Sequence, residues 1–252
     1  MRLLTLARDL RRRKARDRNE LFVVEGVRAA EDLAKSSLRI VGALASPQLE
    51  SNPRGAALRR TLASRSVEIL DVSAAEFESA AETETPQGVL VIVATPTYSL
   101  ENFAKSTATR ILVLDCVQDP GNVGTMVRTA AALGATATVA LPGTVDLWNA
   151  KVVRSAMGAH FLHPALHCTW DELRLFLRET DTPLWGADAD GAPLGAATRP
   201  PRLALAVGNE GAGLSGEVRA ACAHVVSLPL AAGVESLNVA VAAGILLYEL
   251  RA

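Results

Sequence analysis

The chain has 252 residues, enough for one large domain or two small ones, and 49% of them are hydrophobic at a mean hydropathy of +0.20, so most of it folds. A net charge of −1 excludes a uniformly basic surface. Cys116, Cys168 and Cys222 are odd in number and far apart, which argues against a disulfide framework and for a reducing compartment.

Residues 1–18 read as helix, with Leu3, Leu4, Leu6, Ala7 and Leu10 forming a stripe beside Arg2, Arg8, Arg11, Arg12, Arg13, Lys14, Arg16 and Arg18. This start is too charged for a secretory signal. It has the arginine content of a transit peptide but continues into a patterned domain, so the cytoplasm is the expected location. The longest apolar run is too short to cross a bilayer, and no membrane partner is expected.

Strand and helix signals then alternate. Leu21 to Val24 is a strand, Val27 to Lys35 a helix, Ile40 to Ala45 a strand, and Pro53 to Ala63 a helix with proline in its first turn. Val67 to Val72 is the next strand. Ser73 caps a short helix through Ala81, with Glu76 completing a capping box, and the run Gly88 to Ala94 closes the set. Residues 1–95 therefore form a small α/β domain. A polar linker follows over 96–110, with room for one helical turn at Leu100 to Ala104.

A second domain spans 111–252. Ile111 to Leu114 is a continuous apolar strand, Asp119 to Gly124 a turn, and Thr125 to Leu133 a helix ended by Gly134. Thr138 to Leu141 is a strand, Asn149 to Gly158 a helix, and Phe161 to Leu166 an irregular strand broken by Pro164. Trp170 to Glu179 is an amphipathic helix, Leu184 to Ala187 and Leu203 to Val207 are strands, and Ser215 to Cys222 is a short helix. The chain closes with a strand from Val225 to Leu228, a turn at Pro229 and Gly233, and a helix capped by Ser236. That last helix is apolar on nearly every side and is expected to be buried, with Glu235, Ser236 and Asn238 at its mouth needing partners. The alternation throughout predicts mostly parallel sheet with helices on both faces.

In such sheets ligands sit outside the carboxyl ends of the strands. Three strand ends combine glycine with a carboxamide or a charge: Asp115 to Arg128, Val207 to Ser215, and Leu228 to Asn238. Gly121 and Gly124 lack the dinucleotide-binding spacing and no acidic residue ends the next strand, so a nicotinamide dehydrogenase is disfavoured; a Gly-Lys-Ser/Thr phosphate loop is absent too. His160, His163 and His167 are spaced like metal ligands, but Pro164 interrupts any helix that would align them, and no metal is expected.

Asp119-Pro-Gly-Asn122-Val-Gly124-x-x-x-Arg128, then Gly208-Asn-Glu-Gly-x-Gly-Leu-Ser215, then Leu228-Pro-Leu-x-x-Gly233-x-Glu-Ser-Leu-Asn-Val239, resemble the three signature motifs of the SpoU (TrmH) family. These are RNA ribose 2′-O-methyltransferases of the knotted SPOUT superfamily. Lys151-Val-Val-Arg154-Ser-Ala-x-Gly158 resembles the family as well. Arg18-x-x-Leu-Phe-Val-Val-Glu25-Gly26 is similar to the RNA-binding domain that precedes many members.

The resemblance implies a C-terminal trefoil knot, a homodimer packed through it, and S-adenosylmethionine as cofactor. It implies cofactor contacts from Gly208, Asn209, Leu228 and Leu237, with Ala187 as a further wall. Arg128 becomes the catalytic residue, surrounded by Asn122, Glu210, Ser236 and Asn238. A guanidinium is effectively always protonated, so Arg128 is read as a phosphate clamp and alkoxide stabiliser, with the proton leaving through phosphate, Glu210 or water. Glu210 has two other readings, a partner for Arg128 or a helix cap. Arg11, Arg12, Arg13 and Arg18, joined by Lys14 and Arg16, would engage RNA phosphates. Arg154 either joins them or makes a structural ion pair. The expected substrate is large-subunit ribosomal RNA. The alternatives are transfer RNA, a drug-resistance methylase on the same ribosomal RNA, or a catalytically silent RNA-binding protein on the same fold.

Overall fold

The computed structural model describes residues 2–195, 199–234 and 236–251. From the start of the chain come α1 (Arg2–Asp9), α2 (Arg13–Asn19), β1 (Leu21–Glu25), α3 (Val27–Lys35), β2 (Ile40–Ala45), α4 (Pro53–Ser64), β3 (Ile69–Asp71), α5 (Ala74–Glu78) and β4 (Val89–Ala94). Then follow β5 (Thr109–Leu114), α6 (Pro120–Ala132), β6 (Ala137–Ala140), α7 (Ala150–Ser155), β7 (Ala165–His167), α8 (Trp170–Glu179), β8 (Leu184–Pro193), β9 (Arg202–Val207), α9 (Gly216–Ala221), β10 (His224–Ser227) and α10 (Val239–Glu249). They make two compact units, Met1–Pro96 with Trp148–Phe161, and Thr97–Leu147 with Leu162–Ala252. The segment 148–161, read from sequence as part of the second domain, thus belongs to the first unit.

The first unit holds a four-stranded sheet in the order β1-β4-β2-β3. β4 runs antiparallel to both β1 and β2, and only β2 and β3 are parallel. The two antiparallel pairings of β4 are the exceptions to a mostly parallel arrangement. The apolar run Val89 to Val93 reports that a strand is covered on both faces, as it is here, but carries no information about direction. The core gathers Phe22, Leu33, Leu44, Phe77, Leu90 and Ile92, all fully buried. Trp148 stacks against Phe22 at 4.7 Å between ring centroids and meets His160 edge-on at 5.1 Å, so an aromatic anchor fixes segment 148–161.

The single helix expected over residues 1–18 is two. Arg12 is extended (φ −93°, ψ 131°) and opens α2, while Arg16 is buried and donates to the carbonyls of Leu10 (2.8 Å) and Arg11 (2.9 Å). Asn52 caps α4 by accepting from Gly55 N, and the Ser73–Glu76 capping box forms as read.

The second unit is a six-stranded, wholly parallel sheet in the order β10-β8-β9-β5-β6-β7. β9 and β5 lie at its centre, and Ile111, Val113, Ala204 and Ala206 face a core completed by Leu173 and Phe176 of α8. β8 runs on to Pro193, six residues past its expected end, paired with β10 through a register shift between Val225 and Val226. The Asp119 to Gly124 turn is instead the first turn of α6, capped by the Asp119 side chain at Asn122 N.

Two expectations about α10 change. Its cap is Asn238, whose Oδ1 accepts from Ala240 N (3.0 Å) and Val241 N (3.3 Å), and not Ser236. Nor is it buried all round: Ala240, Ala243, Leu246 and Leu247 face the protein, but Val241 (51%), Ile245 (41%) and Tyr248 (51%) are exposed. A helix apolar on every side calls for cover on every side, and here one side is covered. Glu235 lies outside the described residues.

Candidate active site at the strand ends of the second unit

The three glycine-bearing strand ends meet. β5 delivers Asp115 to Asp119 and the start of α6; β9, its neighbour, delivers Gly208 to Ser215; the segment after β10 delivers Asn238. Glu210 accepts from Asn122 Nδ2 (3.1 Å) and from the backbone amides of Asp119 (3.3 Å) and Gln118 (3.5 Å). Asn122 Oδ1 in turn accepts from Asn238 Nδ2 at 2.9 Å. The orientation of this relay is set at both ends. A carboxylate only accepts, so Asn122 presents its NH2 to Glu210 and its oxygen to Asn238; the free amides at the start of α10 claim the Asn238 oxygen and leave its NH2 for Asn122.

Burial pushes the Glu210 carboxyl up, but the hydrogen bonds from Asn122 and from the backbone amides outweigh it and leave its pKa below the ordinary value. Glu210 is therefore a fixed anion at neutral pH and a poor proton acceptor. This narrows the three readings of Glu210, since its bonds go to the start of α6.

The loop carrying Glu210 is held rigidly. Asn209 and Gly213 exchange backbone hydrogen bonds (2.9 and 3.0 Å), and Asn209 Oδ1 accepts from the amides of Gly211 and Ala212, both at 3.0 Å. Asn209 Nδ2 donates to the Cys116 carbonyl at 3.0 Å. A Cβ at Gly208 would stand 2.2 Å from the Gly213 carbonyl carbon, so the turn itself demands glycine there. Asp115, only 2% exposed, accepts from Ser215 N at 2.6 Å and ties down the far end of the loop. Sequence reasoning passed over Asp115; the signal was a carboxylate directly after a buried apolar strand.

Arg128 lies on the exposed face of α6, six residues beyond Asn122. At 3.6 residues per turn that carries it roughly 120° around the helix from Asn122. Ser236 is exposed in the segment before α10. Of the expected catalytic set, then, Asn122, Glu210 and Asn238 are joined by direct hydrogen bonds, with Arg128 further along the helix that carries Asn122 and Ser236 in the segment before α10.

Leu228 and Leu237 line a cavity of about 340 Å3 together with Leu194, Leu230 and Ile245, and the Arg199–Glu249 ion pair (3.4 Å) closes one side. This volume, with leucine side chains beside a charged pair, suits a small organic cofactor. Ala187 and Gly208 do not line it. They stand at neighbouring strand ends, Ala187 paired with Val207 across β8 and β9.

The expected RNA contacts lie in the first unit. Arg12 pairs with Asp9, Arg13 with Asp17 (3.7 Å), Arg11 reaches the Ser79 carbonyl (3.4 Å), and Arg18 is exposed. Two arginines are corrected. Arg16 is buried, bracing α1 against α2, and is not available to RNA. Arg154 sits 3.8 Å from Glu25, whose side chain is 2% exposed and also accepts from Glu82 N and the Thr83 hydroxyl. It sits beside a buried carboxylate, as the structural alternative read from sequence expects.

The histidines do not converge. His163 Nε2 pairs with the Thr138 hydroxyl at 2.9 Å, and burial pushes its pKa down to about 4. His167 lies beside Asp146, and His160 packs on Trp148. Among the described residues no cluster of His, Cys, Asp or Glu could hold a metal ion.

A parallel sheet with a polar relay and a cavity at its carboxyl-end loops defines an α/β enzyme unit that takes a small organic ligand. Residues 109–248 match the model of the SpoU rRNA methylase family, and residues 5–91 match that of the MRM3-like substrate binding domain. The chain belongs to the SpoU family of RNA methyltransferases. It is 35% identical to the 23S rRNA (guanosine(2553)-2′-O)-methyltransferase RlmP of Bacillus subtilis, over 96% of this chain and 93% of that protein. It is 32% identical to the 23S rRNA (uridine(2479)-2′-O)-methyltransferase of Streptomyces viridochromogenes, over 94% of this chain and 84% of that one. Among solved structures, the SpoU methyltransferase AviRb from Streptomyces viridochromogenes in complex with AdoMet superposes with a TM-score of 0.87 at 27% identity, covering 98% of this chain and 96% of that one. An AdoMet-bound rRNA methyltransferase from Sinorhizobium meliloti does so with a TM-score of 0.85 at 26% identity, covering 98% and 93%.

Proposed function

We propose that this protein transfers a methyl group from S-adenosylmethionine to a ribose 2′-hydroxyl of large-subunit ribosomal RNA. The observation that carries the reading is the Asn238–Asn122–Glu210 relay, which joins all three family motifs through side chains. A protein that only bound RNA would have no need to build it. The ribosomal substrate is supported by the named activities of the full-length relatives.

Leu228 and Leu237 would hold the adenine face of the cofactor in the cavity they line, with backbone groups at Gly208, Asn209 and Ala187 completing the pocket. Bound S-adenosylmethionine supplies an electrophilic sulfonium methyl, toward which the 2′-oxygen must be aligned while its proton is removed. Arg128, a permanent cation on an exposed helix face, clamps the neighbouring phosphate and stabilises the developing alkoxide. Glu210 stays ionised and fixes Asn122. Its carboxylate oxygens are committed to Asn122 and the amides at the start of α6, so the proton leaves through phosphate or water. Ser236 sits in the approach to α10 and contributes a hydroxyl to the same mouth.

The C-terminal segment is taken to thread as a trefoil knot, and two copies to pair through the uncovered side of α10. Support for the pairing comes from a groove of about 510 Å3 between α6 and α10, bordered by Thr125, Thr129, Leu133, Val241 and Tyr248. A cytoplasmic location fits three free cysteines. Among the described residues no helix is long and apolar enough to cross a membrane.

Mapping ribose methylation on 23S rRNA after incubation with labelled cofactor tests the assignment. Arg128→Ala should cut turnover by about 100-fold or more with RNA affinity largely kept. Wild-type protein that binds RNA but transfers no label would leave the silent RNA-binding alternative standing.

A further inference from the structure

In the first unit, the carboxyl ends of β1 and β2 and the start of β4 share one sheet edge, since Glu25 pairs with Leu90 and Ala45 with Val89. The loops there enclose a cleft of about 350 Å3 lined by Arg28, Gln48, Asn52, Arg54 and Gln87, among others. None of these residues belongs to the basic run at the start of the chain.

The hydrogen bonding of these side chains is one-sided. Gln87 Oε1 accepts from Val27 N (2.8 Å), Asn52 Oδ1 from Gly55 N (2.9 Å), and Gln48 Oε1 from the Ser46 hydroxyl (3.1 Å). Each carboxamide commits its oxygen to the protein and keeps its NH2 to offer. Arg54 is gripped by Glu31 through Nε (2.8 Å) and Nη2, which orients its guanidinium and leaves Nη1. Arg28, exposed, acts on the same Glu31 through charge; Asp32 acts on Arg54 but is itself paired with Lys35, so Arg28 is the cation left over at the cleft.

The backbone beneath is rigid. Gly88 has φ +78°, and a Cβ on it would stand 2.5 Å from Leu49 N, so the turn carrying Gln48 is pressed against the strand entry carrying Gln87. A set of donors at fixed spacing, with acceptors turned inward, selects an anion that only accepts. A phosphodiester has that chemistry; a nucleobase edge mixes donors with acceptors.

We propose that this cleft is a phosphate subsite for the RNA substrate, with Arg28 supplying the charge and Gln48, Asn52 and Gln87 the positioning donors. The proposal rests on the methyltransferase reading for its choice of RNA.

The test is binding of a full-length 23S rRNA transcript across a KCl series. Arg28→Ala should weaken binding about fivefold and lower the slope of log affinity against log salt by about 0.7–0.9, the loss of one phosphate contact. Arg28→Lys should recover most of the slope. Arg60→Ala, an exposed arginine on α4 outside the cleft, should change both much less, and all three variants should melt as the wild type does. Unchanged affinity and slope in a folded Arg28→Ala would overturn the subsite. So would an equal loss in Arg60→Ala, or displacement of RNA from the wild type by polyglutamate as readily as by RNA. Calorimetry of S-adenosylmethionine uptake on the same samples keeps the two readings apart, because absent uptake with an intact Arg28 effect defeats the methyltransferase reading and leaves the cleft.

Discussion

Both units place polar residues in the loops at one edge of a sheet, but they wire them differently. In the second unit the loops hold one another, through Asn238 to Asn122, Asn122 to Glu210, Asn209 to the Cys116 carbonyl and Asp115 to Ser215 N. In the first unit Arg12 and Arg13 each pair with an aspartate three or four residues away, and the cleft carboxamides of Gln48 and Asn52 accept from groups two and three residues away, with Gln87 alone of the three reaching across to Val27 N. A cross-linked network fixes distances between groups, as a reaction with one productive geometry requires. Locally anchored donors and exposed arginines tolerate variation in what they touch, as phosphate contacts do.

If the contrast is sound, the largest effect in the molecule comes from spoiling the turn beneath the network. Gly208→Ala puts a methyl 2.2 Å from backbone that has no room to move, because Asn209 and Gly213 are bonded to each other. The expected cost is about 3 kcal/mol or more in urea unfolding, with turnover lost even in the folded fraction. A variant that melts and turns over like wild type would show the loop to be far more plastic than its hydrogen bonds imply.

How much of this contrast was legible beforehand divides along physical lines. The glycine-bearing strand ends marked which loops matter, and the family resemblance grouped Asn122, Glu210 and Asn238 within them. Apolar runs locate strands well, and Val27–Lys35, Ile40–Ala45 and Trp170–Glu179 fall where periodicity puts them. Direction is another matter, since β4 inserts between β1 and β2 against both, and a run of valines reads the same either way. Arg16 and Arg154 belonged by composition with the RNA-facing cations. Only tertiary contacts reveal that one braces two helices and the other answers a buried carboxylate. The cleft at Arg28 and Gln87 was illegible because its parts lie 59 positions apart, counting from residue 28 to residue 87, and none belongs to a motif.

The next effect sharpens the comparison by asking how tightly the second unit is packed away from its site. His163 is neutral in the fold down to about pH 4 because it is buried against the Thr138 hydroxyl, whereas in the unfolded chain it takes up its proton near 6.5. Its contribution is thus fully present above pH 6.5 and is lost as pH falls toward 4, on the order of 3 kcal/mol across that window. Urea melts at several pH values should show this loss, and His163→Gln should flatten it. An unaltered pH dependence in the variant would mean that another group controls acid unfolding.

The smallest effect separates structure from chemistry at a single residue. Asn238 has two tasks, capping α10 with its oxygen and holding Asn122 with its NH2. Asn238→Asp keeps the first and reverses the second, since a carboxylate set opposite the Asn122 oxygen repels it and forces that amide to turn away from Glu210. Asn238→Ala removes both. Alanine should cost about 1 kcal/mol in unfolding, the ordinary value of a cap, and aspartate close to none or a slight gain from its charge at the helix start. Turnover should fall in both, with cofactor affinity changing less than kcat. If aspartate preserved turnover as well as stability, the residue would be a helix cap and no more, and the relay that links the three motifs would lose its functional meaning.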